Sequence, residues 1–440
     1  MHDRRRRSAA ITAVSEVLGP ILESFLGAHL PVTFRFWDGS EIASAGTTTV
    51  TFRRPEALRR LVYAPNELGI GRAYVAGDID IDGDVFDVLA LRDRLAARTQ
   101  HTSLDLGRER WLKLLQGARE LNAFGRPLPP PPEEARLRGS KHSKARDAAA
   151  IAHHYNVSND FYRLLLGETM TYSCAYFPSP EATLDEAQSA KYDLICRKLG
   201  LAPGMRLLDV GCGWGGMVLH AAECYGVDAV GVTISQPQAD LAAKRVAEAG
   251  LADKIEIRLQ DYRELGAERF DVISSIGMFE HVGLSELSHY FKVLHGLLEP
   301  RGRLLNHGIS RPPGPPGFNK RSFVARYVFP DGELHEVGTV VSAMQGEGFE
   351  VRDVEALREH YGRTLRLWVT NLESNWDEAV ALVGAARARI WRLYLAGSAL
   401  GFEGGRINLH QVLGIKPDDA GHSGMPPTRA ALLSAQGRLL

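Results

Sequence analysis

The stretch Arg206–Gly216, RLLDVGCGWGG, decides how the rest of the chain is read. An apolar run of Leu207, Leu208 and Val210 stops at Gly211, Gly213, Gly215 and Gly216, and Met217–Tyr225 continues with a helical pattern. A buried strand entering a glycine turn and then a helix is the first half of a nucleotide-binding βαβ unit. The glycines let backbone N–H groups approach a ligand, with the helix N-terminus behind them. Alone, such a turn is a weak sign, because a tight turn without a ligand looks the same. The residues that follow decide between the two.

From Arg206 onward strands and helices alternate. The strands are expected at Leu207–Val210, Ala229–Ile234, Ile255–Leu259, Phe270–Ser275 and Arg303–Asn306. Helices are expected at Pro237–Ala249 and Ser285–Leu298, and Pro300–Gly302 turns into the fifth strand. This alternation predicts an α/β fold, a parallel sheet with helices on both faces. Beyond Tyr361 the pattern turns helical, through Leu365, Trp368 and Leu372 and again over Ile390–Ala399. Arg406–Leu413 is expected to return as a final antiparallel edge strand, and Ala420–Leu440, rich in Gly, Pro and Ser, as a disordered tail.

Upstream, Ile11–Leu30 places Ile11, Val14, Leu18, Ile21, Leu22 and Phe25 on one helical face. Arg4–Arg7 would suit a membrane-surface helix, but the polar face is acidic, which favours a helix packed on a core. Val32–Arg53 alternates like strands, and Leu61–Tyr74 and Val85–Leu89 read as helices on either side of Ala76–Asp78. The domains are therefore expected at 1–122, a Pro-rich linker at 123–146, a catalytic domain at 147–418 and a tail at 419–440. The linker is marked by Gly125–Ser143, a proline run followed by charge. After it, Ala145–His154 and Asp160–Leu166 read as helices, the second capped by Ser158 or Asn159.

The 440 residues carry a net charge of −1, so binding to nucleic acid or anionic lipid would have to come from local patches. Cys174, Cys196, Cys212 and Cys224 form no Cys-x-x-Cys pair and are expected as reduced thiols in a cytoplasmic protein. No apolar run is long enough to span a bilayer. His153 and His154 are adjacent and point to different faces of a helix, so no metal site is expected.

In an open parallel sheet, ligands bind beyond the carboxyl ends of the strands. The residues found there are Gly211–Gly215, then Thr233, Ser235 and Gln238, then Gln260, Asp261 and Tyr262, then Glu280 and His281, and finally His307. A dinucleotide fold would place an acid at the end of the second strand. Here that position is Thr233-Ile234-Ser235, and the acid, Asp261, follows the third strand beside Tyr262. That suits an adenine amino group and resembles the S-adenosylmethionine methyltransferase sheet. There is no Walker lysine, which argues against phosphoryl transfer.

A longer set of stretches resembles the cyclopropane fatty acid synthases. They are HHYNVSNDFY (153–162), MTYSCAYF (170–177), LLDVGCGWGG (207–216), GVTISQPQ (231–238), QDYREL (260–265), SIGMFEHVG (275–283), YVFPDGEL (327–334) and HYGRTLRLW (360–368). The resemblance runs in order from about Ile151 to Leu413, with a looser match at GIGRAYVAGDIDIDG (69–83). It implies a Rossmann-like, seven-stranded class I methyltransferase sheet preceded by a small α+β lipid-binding domain.

The resemblance further implies that a methyl group from S-adenosylmethionine is added across a cis double bond of a phospholipid acyl chain. The resulting carbocation then loses a proton to a base so that the ring closes. In this family the base is a bound bicarbonate, and its cradle maps onto Cys174, Glu280, His307, Ile309 and Tyr361. Cys174 and Ile309 would contribute mainly backbone N–H groups. S-adenosylmethionine maps onto Tyr172, Ser173, Gly211, Cys212, Gly213, Gly215, Thr233, Gln238, Asp261 and Tyr262. Implied partners are unsaturated phospholipids at the inner face of the membrane and a second copy of the chain, with no nucleic acid.

One departure is the Pro–Gly insert Arg311–Gly317, followed by Lys320, Arg321 and Arg326. It reads equally as a flap that meets lipid head groups and as an ordinary exposed loop. Two other functions compete with cyclopropanation: a fatty-acyl methyltransferase leaving a methylene branch, and a lipid-binding module with an inactive sheet. Glu280-His281 and His307 favour ring closure. The intact glycine turn and Asp261 argue against the inactive module.

Overall fold

The computed structural model describes residues 13–27, 29–99, 107–135, 158–314, 322–330 and 332–429. The expected helix at Ala145–His154, with His153 and His154, lies outside them, as do Lys320 and Arg321. By contacts the chain divides into two units. The first comprises 1–134, 321–323 and 384–397, and the second 135–320, 324–383 and 398–440.

In the first unit a helix over Val14–Leu26 covers a four-stranded sheet. Its strands are β1 (Thr33–Arg35), β2 (Glu41–Ile42), β3 (Thr49–Phe52) and β4 (Ile79–Asp82), in the order β2-β1-β3-β4. Val14, Leu18, Phe34, Phe36, Val50 and Phe52 form its core, so the apolar helical face packs inward. The single helix expected over Leu61–Tyr74 is two, Glu56–Tyr63 and Glu67–Val75. Pro65 lies between them, and Asn66 caps the second by accepting from Leu68 and Gly69 N–H. β4 occupies the stretch just after Ala76–Asp78, which the sequence reads only as a turn.

The second unit is built on a seven-stranded sheet of β5 (Arg206–Val210), β6 (Asp228–Thr233), β7 (Ile255–Leu259), β8 (Phe270–Ile276), β9 (Leu298–Ser310), β10 (Glu350–Ala356) and β11 (Asn408–Ile415). Their order is β10-β11-β9-β8-β5-β6-β7. The pairs among β7, β6, β5, β8 and β9 are parallel, and β11 runs antiparallel to both β9 and β10. The expected antiparallel strand exists but is not an edge. β10, which the sequence reading does not contain, covers it. The side chains of β10 point out in an irregular pattern, with Asp353 its single buried residue.

Helices cover both faces. Leu207, Ala229 and Val272 pack under Ile195, Leu199 and Val218 on one side. Leu208, Val230, Ile273 and Leu304 pack under Tyr290, Phe291 and Leu294 on the other. The helix Leu184–Leu199, absent from the sequence reading, starts in a capping box between Thr183 and Glu186 and ends at Gly200 in the left-handed region. Residues 420–429 were expected to be disordered with the rest of the tail. Instead, Met425 packs on the core and Arg429 pairs with Asp353. In the Pro–Gly insert, the Arg311 guanidinium donates to the carbonyls of Pro312 and Gly314. Among the described residues no helix is long and apolar enough to cross a membrane, and the four cysteines are free thiols.

Candidate active site

The glycine turn forms because β5 runs straight into it. Gly211, Gly213 and Gly215 all hold positive φ, at 78°, 53° and 81°, where an L side chain is strained. Gly211 and Cys212 N–H both donate to Val232 O, which ties the turn to the end of β6. The helix Gly216–Tyr225 then starts beneath a cavity at the carboxyl edge of the sheet.

That cavity is lined by Tyr172, Ser173, Gly211, Cys212, Gly213, Thr233, Gln238, Asp261 and Tyr262, nine of the ten residues mapped to the methyl donor. Gly215 is not among them. It is set against Ala242, so its place in the turn is conformational. Thr233 Oγ1 donates to Gln238 Oε1 at 2.9 Å and fixes both at the end of β6. Asp261 accepts from Arg263 N–H, Nε and Nη2 at 2.9, 2.9 and 2.6 Å, which fixes its carboxylate at the end of β7. Tyr172 stacks on Trp368 with ring centroids 5.3 Å apart, and Trp214 packs 4.7 Å from Tyr162. Asp209, His281 and Glu286 line the same cavity. Burial pushes the Asp209 carboxyl up to about 6 and the His281 imidazole down to about 4.

The residues mapped to the cradle form a second, buried group that does not line this cavity. Glu280 sits in the short 3-10 turn Phe279–His281 just past β8. Its Oε1 accepts from Ile309 N–H at 2.7 Å, while Oε2 is buried and has no partner among the described residues. Burial pushes the Glu280 carboxyl up to about 7. His307 lies opposite Ile276 in the parallel β8–β9 register. Gly308 follows it because the Phe279 ring occupies the space a Cβ would need.

The contacts continue across the sheet edge. Ile309 pairs with Leu409, Leu357 N–H donates to Leu409 O, and Tyr361 N–H donates to Leu357 O. The Cys174 thiol reaches the same Leu357 carbonyl at 3.7 Å. Burial raises its pKa, so the sulfur stays a thiol. Tyr361 packs edge-on to Trp368 and lies 4.5 Å from the Phe402 ring. Glu280 is bonded directly to Ile309, two residues after His307 on β9, and the backbone of Leu409 and Leu357 links that strand to Cys174 and Tyr361.

The sequence reading did not include Gln411. Gln411 Nε2 donates to His307 Nδ1 at 3.2 Å. Burial and two lysines, Lys191 and Lys198, hold the imidazole neutral, far below its ordinary pKa. With Nδ1 accepting, the proton is on Nε2, and that N–H is buried with no partner among the described residues. The signal in the sequence was position alone, since Gln411 stands on the strand antiparallel to β9. No group of three metal-ligating side chains occurs among the described residues.

A family model, mycolic acid cyclopropane synthetase, matches residues 142–412. Over 423 residues the chain is 43% identical to a probable fatty acid methyltransferase of Mycobacterium tuberculosis, covering 93% of this chain and 97% of that protein. A probable fatty acid methyltransferase of Pseudomonas putida is 40% identical over 418 residues, covering 94% and 98%. Among solved structures, a cyclopropane synthase from M. tuberculosis superposes with a TM-score of 0.59 at 36% identity, covering 62% of this chain and 99% of that one. A mycolic acid cyclopropane synthase complexed with SAH and CTAB gives 0.58 at 37%, covering 61% and 98%. The glycine turn, the strand order and these matches agree: the chain belongs to the mycolic acid cyclopropane synthetase family, S-adenosylmethionine-dependent methyltransferases with a class I fold.

Proposed function

We propose that this methyltransferase acts on the cis double bond of an unsaturated acyl chain carried by a membrane phospholipid, and that it closes a cyclopropane ring. The observation that carries the reading is the pair of orphaned polar atoms, Glu280 Oε2 and His307 Nε2, buried at the β8–β9 edge. A transferred methyl leaves a carbocation on the chain, and ring closure requires that one methyl proton be removed. Bicarbonate fits this group of residues, because an N–H donor on His307 and a carboxyl with a raised pKa suit a small oxyanion that bears one proton. Bound there, bicarbonate supplies the base for that proton.

The chain's own residues supply the rest. Glu280 is fixed by the Ile309 N–H and holds a proton on its carboxyl up to about pH 7. His307 presents Nε2–H because Gln411 occupies Nδ1. Burial keeps water from the cation. Tyr361 is held by packing on Phe402 and Cys174 by its thiol on the Leu357 carbonyl, and both would complete the cradle.

A second reading is supported by the two relatives of greatest coverage among those compared, both probable fatty acid methyltransferases. In it, a hydride moves from the methylated carbon to the neighbouring cationic carbon and the methyl then loses a proton, which leaves a methylene branch on the chain. Both products gain one CH2, so mass does not separate them. The test is expression in a bacterium that lacks cyclopropane lipids, followed by mass spectrometry and proton NMR of the extracted phospholipids. A gain of CH2 with ring-proton signals and no alkene supports the proposal. Vinylidene protons support the second reading, and unchanged lipids refute both. Action at the inner membrane surface, through the first unit and as a homodimer, belongs to the same proposal. Flotation with phospholipid vesicles and sedimentation test those two parts.

A further inference from the structure

Lys191 is fully buried in the helix Leu184–Leu199. Among the described residues its ammonium reaches no carboxylate within ion-pair distance. Its contacts are a hydrogen bond to Ser173 Oγ at 2.9 Å and the face of the Tyr192 ring, 3.9 Å from Nζ to the centroid. An ammonium has three N–H groups, and two here have no acceptor. Burying a charge in this state opposes folding, and a methionine of similar length would fill the space at lower cost. The residue must therefore be explained by what it does when a ligand is bound.

The neighbouring contacts show where its charge acts. Gln188, Lys191 and Tyr192 stand at i, i+3 and i+4, on one helix face. All three grip the strip Thr171–Ser173. Gln188 Nε2 donates to Ser173 O at 2.9 Å, Tyr192 Oη and Thr171 Oγ1 share a hydrogen bond of 2.9 Å, and Lys191 donates to Ser173 Oγ. Because Ser173 Oγ accepts from Lys191, its own O–H is turned elsewhere, and Ser173 lines the methyl-donor cavity. A hydroxyl backed by a cation and turned into a cavity is a donor for an anion. Asp261 and Tyr262 follow β7, Asp209 lies in β5, and Ser173 is bonded to Lys191, whose ammonium faces Asp209. An adenosine group at β7 leaves the amino-acid end of the ligand beside Ser173.

We propose that Lys191 is a positioning residue for the α-carboxylate of S-adenosylmethionine, acting through the Ser173 hydroxyl. This rests on the cavity being the cosubstrate site. It assigns the buried lysine to binding and orientation of the cosubstrate, beside its effect in keeping His307 neutral. The charges that face Lys191 are those of Asp209, which lines the cavity, and the Cys174 thiol, kept neutral by burial. Burial lowers the Lys191 ammonium to about 7, and an anion delivered by the ligand would hold the proton on it.

The test compares three ligands by calorimetry on the full chain: S-adenosylhomocysteine, its decarboxylated analogue, which keeps the amine, and 5′-methylthioadenosine, which lacks the amino-acid end. Lys191→Met should weaken S-adenosylhomocysteine by about 10-fold or more, the scale of a lost charge-assisted hydrogen bond, and leave the other two within about twofold. Ser173→Ala should give the same selective loss, and Lys191→Met added to it should cost little more. In turnover, the KM for S-adenosylmethionine should rise more than kcat falls. An equal loss for all three ligands, or no loss for S-adenosylhomocysteine, overturns the proposal. Failure of the wild-type chain to bind S-adenosylhomocysteine overturns the reading of the cavity, and the proposal with it.

Discussion

Replacing Glu280 by Gln should abolish product formation and at the same time flatten the dependence of stability on pH. The carboxyl ionises from an ordinary 4.5 in the unfolded chain and only at about 7 in the folded one, because the site is buried. Between those values unfolding releases a proton. The stability given by the protonated folded carboxyl is therefore complete below about 4.5 and lost as pH rises through about 7. From about pH 5.5 to 7 the loss covers one and a half pH units, about 2 kcal/mol. Above about pH 7 the difference stays constant. Glutamine keeps the oxygen that accepts from Ile309 N–H, so the local geometry survives. Its buried NH2 imposes a cost that does not vary with pH and cancels in the comparison. Asp209, Lys191 and His307 titrate alike in both proteins and cancel as well. The assay is urea unfolding followed by the intrinsic fluorescence of the six tryptophans, Trp214 and Trp368 among them, at about pH 5.5 and 8, for wild type and Glu280→Gln. The wild type should lose about 2 kcal/mol more than the variant between the two conditions. Parallel pH dependence would show that Glu280 is already ionised in the folded chain, and the argument for a raised carboxyl beside an anion site would fail. Retained product formation would remove Glu280 from the chemistry.

Cys174→Ala should keep most of its activity, because the thiol is held protonated by burial and offers no thiolate; a loss as large as that of Glu280→Gln in the same lipid assay would contradict this. Gln411→Leu should release His307 Nδ1 and cost about 10-fold or more in turnover, with partial recovery as bicarbonate is added to a depleted buffer; activity that is unchanged in bicarbonate-free conditions would argue against the tautomer assignment. Gly308→Ala should destabilise the second unit by about 1–3 kcal/mol in thermal unfolding, because the Phe279 ring occupies the space of the new Cβ, and a neutral effect would mean that the ring moves freely.

The parallel strands were legible because both faces of the sheet are covered, so β5, β6 and β8 are near-continuous apolar runs that stop at glycine or polar punctuation. Every residue mapped to the cosubstrate except Gly215 lines one cavity, since the ends of parallel strands fix where ligands can reach backbone N–H groups. Other parts left no such trace. β10 shows neither an apolar run nor clean alternation, since it is an edge strand with Asp353 buried against Lys198. The helix Leu184–Leu199 carries polar residues on its inner face, and that is why its pattern is weak. Gln188 and Lys191 are completely buried yet read as surface residues in a one-dimensional scan. Gln411 was illegible for a related reason. Its role depends on β11 lying beside β9, a pairing formed by residues 104 apart in the chain.

Those same illegible residues explain how two buried sites can cooperate. The segment Thr171–Phe177 touches both. Ser173 lines the cavity, with Lys191 behind it. The next residue, Cys174, meets Leu357, and Ala175 N–H donates to Thr364 Oγ1 at 3.1 Å, on the helix that carries Tyr361. Tyr172 stacks on Trp368 from that helix, about two turns beyond Tyr361. Ser173, which lines the cavity, and Cys174, mapped to the proposed anion cradle, are thus consecutive residues of one clamped segment. Because the clamp on one side is Gln188, Lys191 and Tyr192, and on the other Leu357, Thr364 and Trp368, a shift in either helix moves both sites together. Methyl transfer without prompt proton removal would leave a cation to be trapped by stray nucleophiles. A segment that cannot place one site without placing the other protects against that outcome.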